Sequence, residues 1–185
     1  MPPALKTEYI SVADYLAAEE KSDTRHEYLG GLVYAMAGET RAHNEIVQNL
    51  LIDLRRHLKG GPCKLYVGSI RVNFHIREDE YYYYPDLIVT CDKRDTHPRF
   101  IRHPRLIIEV LSEGTKRVDR REKFFAYTGI ESLEEYILVA QDRREVTLFR
   151  RANGWKAETI SGARASLPIK SLATRLPLTA IYEGI

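Results

Sequence analysis

The chain has 185 residues, 44% of them hydrophobic and 29% charged, with a formal net charge of +2. That length suits one domain of roughly 100–200 residues, and the mixture is that of an ordinary soluble globular protein rather than a disordered or fibrous one. No apolar run approaches the roughly 18–20 residues of a membrane-spanning helix, and the N-terminus lacks a secretory apolar segment, so a cytoplasmic protein is expected.

Ser11 followed by Asp14 marks a helix start, with Ala13, Leu16 and Ala17 as a short apolar stripe to about Lys21. Arg25–Leu29 and Leu32–Met36 flank Gly30-Gly31 and predict a β-hairpin. Thr40 reads as the N-cap of the longest helix. Its residues Ile46, Val47, Leu50, Leu51, Leu54 and Leu58 follow the spacing of an amphipathic helix, and Gly60-Gly61-Pro62 ends it. Lys64–His75 then reads as a strand, Tyr82–Thr90 as a second and Leu106–Leu111 as a third. Leu87-Ile88-Val89 and Leu106-Ile107-Ile108 are apolar without strict alternation, as in strands covered on both faces. Thr115 can cap a helix through Tyr127, stopped by Gly129. Tyr136–Ala140 is a further strand, and Glu145–Arg150 pairs with it or with Trp155–Ile160. This order describes an α/β fold with a central mixed sheet flanked by helices. Cys63 and Cys91 have neither metal-ligand spacing nor the density of a disulfide framework, and read as two thiols in a reducing compartment.

Two acids sit where acids are costly. Asp86 follows Pro85 and opens an apolar strand, and Glu109 is embedded in Leu-Ile-Ile-Glu-Val-Leu. A carboxylate in such a strand needs a partner, a metal or a proton. Two on adjacent strands form a hard oxygen site suited to Mg²⁺; the structural alternative is a turn aspartate and a glutamate paired with an arginine. Charge distribution adds to this picture. Lys93 to Lys123 holds ten Lys/Arg against five Asp/Glu, a local basic stripe on a nearly neutral chain. No phosphate-binding loop, H-E-x-x-H zinc pair or G-x-S-x-G elbow is present.

Several stretches together resemble the bacterial putative restriction endonuclease family of the PD-(D/E)XK nuclease superfamily, long known only as a domain of unknown function. They are Arg-His-Glu-Tyr-Leu-Gly-Gly-Leu-Val-Tyr-Ala-Met-Ala-Gly (25–38), His43 with the helix after it, Tyr-Pro-Asp-Leu-Ile-Val-Thr-Cys-Asp (84–92), Leu-Ile-Ile-Glu-Val-Leu-Ser (106–112), Asp-Arg-Arg-Glu-Lys-Phe-Phe-Ala-Tyr (119–127) and Ser-Leu-Glu-Glu-Tyr-Ile-Leu-Val (132–139). The resemblance implies a restriction-endonuclease-like sandwich, with the nuclease core over about residues 40–140. It also implies hydrolysis of phosphodiester bonds, most naturally in DNA, with Mg²⁺ or Mn²⁺ held by Asp86, Glu109 and the Val110 carbonyl.

The chain departs from the superfamily pattern at one point. The lysine of the (D/E)-X-K triplet falls at Leu111, which cannot position a nucleophile. The resemblance suggests a lysine moved to the following helix, and Lys123, one turn after Asp119, is the candidate. Glu27 completes the acid cluster or else pairs with His26 or Arg25. His43 reads as a buried, hydrogen-bonded core histidine. Arg105, Lys116, Arg117 and Arg120 are the expected phosphate contacts. Alternation along Tyr81–Tyr84 sends its rings to opposite faces, which argues against a four-ring stacking platform. Cutting both strands of a duplex is compatible with a homodimer. The competing function is a nuclease-fold module that binds nucleic acid or a partner protein without catalysis, for which Leu111 is the argument.

Overall fold

The Thr40 hydroxyl accepts the His43 N–H at 3.1 Å and so caps the 18-residue helix that dominates one side of the molecule. The structure is a computed structural model describing residues 9–112, 119–162 and 164–185, without the side chains of residues 119 and 120. In chain order the elements begin with α1 (Val12–Glu19), β1 (His26–Leu29), β2 (Leu32–Ala35) and α2 (Arg41–Leu58). Then come β3 (Lys64–Val67), β4 (Arg71–Ile76), β5 (Asp79–Tyr83), β6 (Leu87–Thr90), β7 (Phe100–Ile101) and β8 (Pro104–Leu111). A π-helical turn at Asp119–Lys123 runs into α3 (Phe124–Thr128). The chain continues through β9 (Glu135–Ala140), β10 (Glu145–Arg150), β11 (Glu158–Ser161), β12 (Ser166–Ile169), β13 (Thr174–Pro177) and α4 (Leu178–Ile181).

The strands form a mixed α/β architecture. A six-stranded sheet has the order β11-β10-β9-β8-β6-β3, with β8 and β9 parallel and the other pairs antiparallel. A five-stranded sheet has the order β2-β1-β5-β4-β7. The hairpin β1–β2 turns on Gly30 and Gly31, with φ of 53° and 98°. Those left-handed values at both turn positions are open to glycine at little cost. β10 pairs with both β9 and β11, so the two pairings read as alternatives occur together.

Alternation along β8 divides the core. Leu106, Ile108 and Val110 pack with Ile46, Val47, Leu50 and Leu54 of α2. Ile107 and Leu111 face the opposite way, toward Tyr127, Leu133 and Tyr136. Burial on both faces accounts for the unbroken apolar run, and it sends Glu109 to the Tyr127 side. The short C-terminal hairpin β12–β13 and α4 close the α2 side with Leu167, Ile169, Leu178 and Ile181. Asn49 of α2 donates to the Ile181 and Glu183 carbonyls there.

Three sequence expectations are corrected. Lys64–His75 is two strands in two different sheets, parted at Gly68, whose φ of 59° turns the chain. Tyr82–Thr90 likewise breaks at Tyr84-Pro85-Asp86: β5 ends in one sheet and β6 begins in the other. Proline lacks an N–H for a ladder and has a fixed φ, which suits it to that crossing. Cys63 and Cys91 are not two thiols but a disulfide. The β3–β6 register pairs Lys64 with Thr90, which sets the two cysteines beside one another with Cα atoms 4.0 Å apart. The cysteine argument for a reducing compartment goes with that reading. The expected N-cap Thr115 lies outside the described residues. Among the described residues, no helix is long and apolar enough to cross a membrane.

Candidate active site

The crossing between the sheets carries Asp86. Register in the β6–β8 pair matches Leu87 with Ile108, so one further step brings Asp86 opposite Glu109. The Val110 N–H donates to Asp86 Oδ2 at 2.6 Å, and His43 Nε2 lies 3.2 Å from the same oxygen. An ionised carboxylate only accepts, so these two donors hold Asp86 in a fixed pose.

Glu109 enters from the middle of the buried strand with 3% of its surface exposed. Its Oε1 accepts from Lys123 Nζ at 3.1 Å and from the Tyr127 hydroxyl at 3.0 Å. Lys123 ends the π-helical turn and caps α3, and Tyr127 follows four residues on within α3, a spacing that sets both over one face. Glu27 reaches the same ammonium from β1: its Oε1 is 3.0 Å from Lys123 Nζ and accepts the Tyr84 N–H at 3.1 Å. Lys123 is 6% exposed, with its ammonium 5.5 Å from the centre of the Tyr83 ring. Burial, followed by the charge of Glu109, pushes the Tyr127 phenol well above its ordinary pKa. It therefore remains a hydrogen-bond donor to Glu109 throughout the neutral range. Burial and then the Glu27 carboxylate push the Tyr83 phenol up in the same way.

The site thus draws on both sheets and two helices. Sequence reasoning named Glu27, Asp86, Glu109 and Lys123; the structure brings Glu27, Glu109 and Lys123 into one bonded group with Tyr127, while Asp86, just before the strand neighbouring that of Glu109, bonds the Val110 N–H and His43 instead. The structural alternatives for Glu27 are taken up elsewhere: His26 bonds Glu19 at 3.0 Å, and Arg25 donates to the Gly68 carbonyl. Leu111 is buried on the Glu109 side of β8, among the Tyr127 and Tyr136 rings. The ammonium beside Glu109 comes from the helical turn that leads into α3 instead.

Three participants were read otherwise or passed over. His43 is buried, as expected of a core histidine, but its ring bonds Asp86 and lies 3.4 Å from Glu39. Glu39 was not singled out at all. Tyr127, expected only as the end of a helix and within a matching stretch, has no role in the sequence reading; its place four residues after Lys123 is the available signal. For Val110, the contact observed at Asp86 is made by the N–H. Arg105 pairs with Glu134 at 3.1 Å across an exposed surface. Lys116 and Arg117 lie outside the described residues, as do the side chains of Asp119 and Arg120. Tyr81 and Tyr83 stack on Phe74 while Tyr82 joins Tyr15 and Tyr28 on the other face, so the tyrosine run forms no single platform.

The donor set fits a divalent cation. Asp86, just before β6, and Glu109, on the neighbouring β8, offer hard carboxylate oxygens of the kind Mg²⁺ and Mn²⁺ take. One group, Glu39, His43 and Asp86, offers three ligand atoms all within 4.8 Å of one another.

Comparison with known proteins gives the family and the fold. A family described as "Putative restriction endonuclease" (Uma2) matches residues 12–179. The uncharacterized protein slr1290 of Synechocystis sp. is 34% identical over 181 residues, covering 95% of this chain and 93% of its own. A second Synechocystis protein, sll1609, is 28% identical over 166 residues, covering 87% and 93%. The fold is similar to a crystal structure described as a putative nuclease belonging to DUF820 from Anabaena variabilis. The TM-score is 0.78 at 17% identity, with 94% of this chain and 97% of that one covered.

Proposed function

Because this chain belongs to the Uma2 family of putative restriction endonucleases, we propose that it is a metal-dependent endonuclease acting on DNA, with Asp86, Glu109 and Lys123 as its catalytic residues. The observation that carries the reading is the Lys123 ammonium 3.1 Å from Glu109, delivered from the helical turn that leads into α3 where the strand itself offers Leu111. A buried lysine bridging Glu109 and Glu27 supplies the one group that the broken D/E-X-K triplet lacks.

Hydrolysis forms a bond from a water oxygen to phosphorus and breaks one P–O bond to the sugar, with a proton passing to the leaving oxygen. Asp86 and Glu109, with the Val110 carbonyl, would hold a divalent cation (Mg²⁺ or Mn²⁺), which would supply charge stabilisation at the phosphate and lower the pKa of the attacking water. Lys123 orients that water or offsets charge gathering on the phosphoryl oxygens, an effect of the oxyanion-hole type. Tyr127 holds Glu109 in place through its phenol, and the Val110 N–H does the same for Asp86. Glu27 anchors Lys123 from the second sheet. Arg105 grips the nucleic-acid backbone together with Lys116, Arg117 and Arg120. Its exposed pair with Glu134 is of a kind worth at most about 1 kcal/mol, so a phosphate can displace it. Two copies acting together would cut both strands of a duplex.

The test is incubation of the purified chain with supercoiled plasmid, single-stranded DNA and RNA in Mn²⁺, Mg²⁺ or EDTA. Metal-dependent nicking of plasmid, abolished in Asp86→Asn, is expected. A chain that binds DNA in a salt-sensitive way yet cuts none of these substrates would instead be a binding module with a structural acid–lysine cluster. Cutting of RNA alone would keep the site and overturn the substrate.

A further inference from the structure

Two unlike groups flank the paired strands β6 and β8. In one, the ammonium of Lys123 lies between Glu27 and Glu109, 3.0 and 3.1 Å from their oxygens. In the other, two carboxylates converge on a single imidazole: Asp86 at 3.2 Å from Nε2 of His43 and Glu39 at 3.4 Å from Nδ1. Ligands gathered around one ion about 2.0–2.2 Å away are themselves about 3–4.5 Å apart. The ligand atoms of Glu39, His43 and Asp86, all within 4.8 Å of one another, approach that arrangement.

The backbone holds these groups together. His43 sits in the first turn of α2, its N–H bonded to the Thr40 hydroxyl. Glu39 immediately precedes that cap, and Asp86 is fixed from across the sheet by the Val110 N–H. His43 is 5% exposed, while Glu39 opens to solvent, so the group has a rigid inner end and an outer end that an ion can reach.

We infer that Glu39, His43 and Asp86 hold a divalent transition-metal ion, a position distinct from the all-oxygen one at Asp86 and Glu109 and joined to it through Asp86. The inference builds on the proposed nuclease site but adds a nitrogen ligand to it. One imidazole among carboxylates moves preference away from Mg²⁺, which favours oxygen alone, toward ions such as Mn²⁺ that take both donor types. The ion would restrain the N-terminus of α2 against the sheet crossing.

Pulsed electron paramagnetic resonance on the intact chain loaded with Mn²⁺ tests this, because a coordinated histidine gives ¹⁴N modulation that carboxylates and water do not. Wild-type protein should show the modulation, and His43→Ala should lose it, whereas Glu109→Gln should keep it. Should His43→Ala not fold, Glu39→Gln at the exposed end serves instead; it should weaken Mn²⁺ binding by about tenfold or more. Bound Mn²⁺ without ¹⁴N modulation, or with modulation that survives His43→Ala, overturns this inference and leaves the nuclease reading standing. An unchanged Mn²⁺ affinity in Glu39→Gln also overturns it. Failure of the chain to bind Mn²⁺ at all overturns both.

Discussion

Replacing Lys123 by Met removes one positive charge from a site that holds one buried and one half-buried acid. The side chains of Glu27 and Glu109 are 15% and 5% exposed, and both bond the same ammonium. Methionine keeps most of the length and packing of lysine, so the change isolates the charge. Breaking a buried ion pair by deleting one partner commonly costs about 3–5 kcal/mol, because the surviving charge stays out of water. Tyr127 and the Tyr84 N–H still donate to the two acids, which places the expected loss near the lower end, about 3 kcal/mol. Urea titration followed by circular dichroism in EDTA would show it as a lower midpoint at unchanged slope. Mn²⁺ should then stabilise the variant more than the wild type, since a cation takes over charge that the ammonium formerly balanced. At a hundredfold excess over its dissociation constant, a ligand adds about 2.7 kcal/mol. Exposed Lys59→Met is the control and should move stability by no more than about 0.5 kcal/mol. A loss below about 1 kcal/mol for Lys123→Met would refute the claim that this lysine neutralises the two acids.

Three other outcomes follow from the same reasoning. Glu135 is buried and accepts Arg150 Nε at 2.8 Å as well as the Ser171 N–H, tying β9 to β10 and to the chain after β12; Glu135→Ala should cost about 3–5 kcal/mol in a denaturant titration, and a cost under 1 would contradict the network. Burial raises the pKa of seven tyrosines (15, 28, 82, 83, 84, 127 and 182) above the ordinary 10.0, so the folded state holds protons that the unfolded state releases first. Stability should therefore be unaffected by them below about pH 10 and fall as pH rises beyond it; tyrosinate absorbance near pH 10 amounting to all twelve tyrosines in the still-folded protein would contradict this. The Cys63–Cys91 bond spans a separation of 28 residues, and its loss in Cys63→Ser should lower stability by about 3–4 kcal/mol. Melting with and without reductant checks that prediction, since the variant should be insensitive to reductant.

The parts of the fold that were legible in the sequence carry a local signal. Thr40, the apolar positions from Ile46 to Leu58 and Gly60 define α2 nearly to the residue. Gly30-Gly31 defines the first hairpin, and the apolar runs around Ile107 and Ile137 define two covered strands. What was not legible is where the chain changes sheets. Alternation reads the same in either sheet, so neither Gly68 nor Pro85 announces that β3 and β6 belong with β8 while β4 and β5 belong with β1. The elements β12, β13 and α4 are four residues each, too short for periodicity to single them out.

The site divides along the same line. Asp86 and Glu109 stood out because carboxylates in apolar strands are costly, and that signal survives without any partner in view. Lys123 and Glu27 needed the family resemblance, since a helix lysine and a hairpin glutamate are ordinary by themselves. His43 on an apolar helix face looked like a core residue, and it is buried like one; only the sheet crossing at Pro85 turns Asp86 toward it. The disulfide was hidden for a similar reason, because the cysteines become neighbours only through the β3–β6 register.

The central claim is that Asp86, Glu109 and Lys123 form one hydrolytic centre, with its lysine supplied by the helical turn that leads into α3. Its most direct test is the nicking rate of supercoiled plasmid in Mn²⁺ under single-turnover conditions, for wild type, Asp86→Asn and Lys123→Met, each shown to be folded. The account predicts no detectable nicking by Asp86→Asn and a fall of about 10²–10³-fold for Lys123→Met, the effect of removing one group that stabilises developing charge. Wild-type nicking that persists at its full rate in folded Lys123→Met would contradict it.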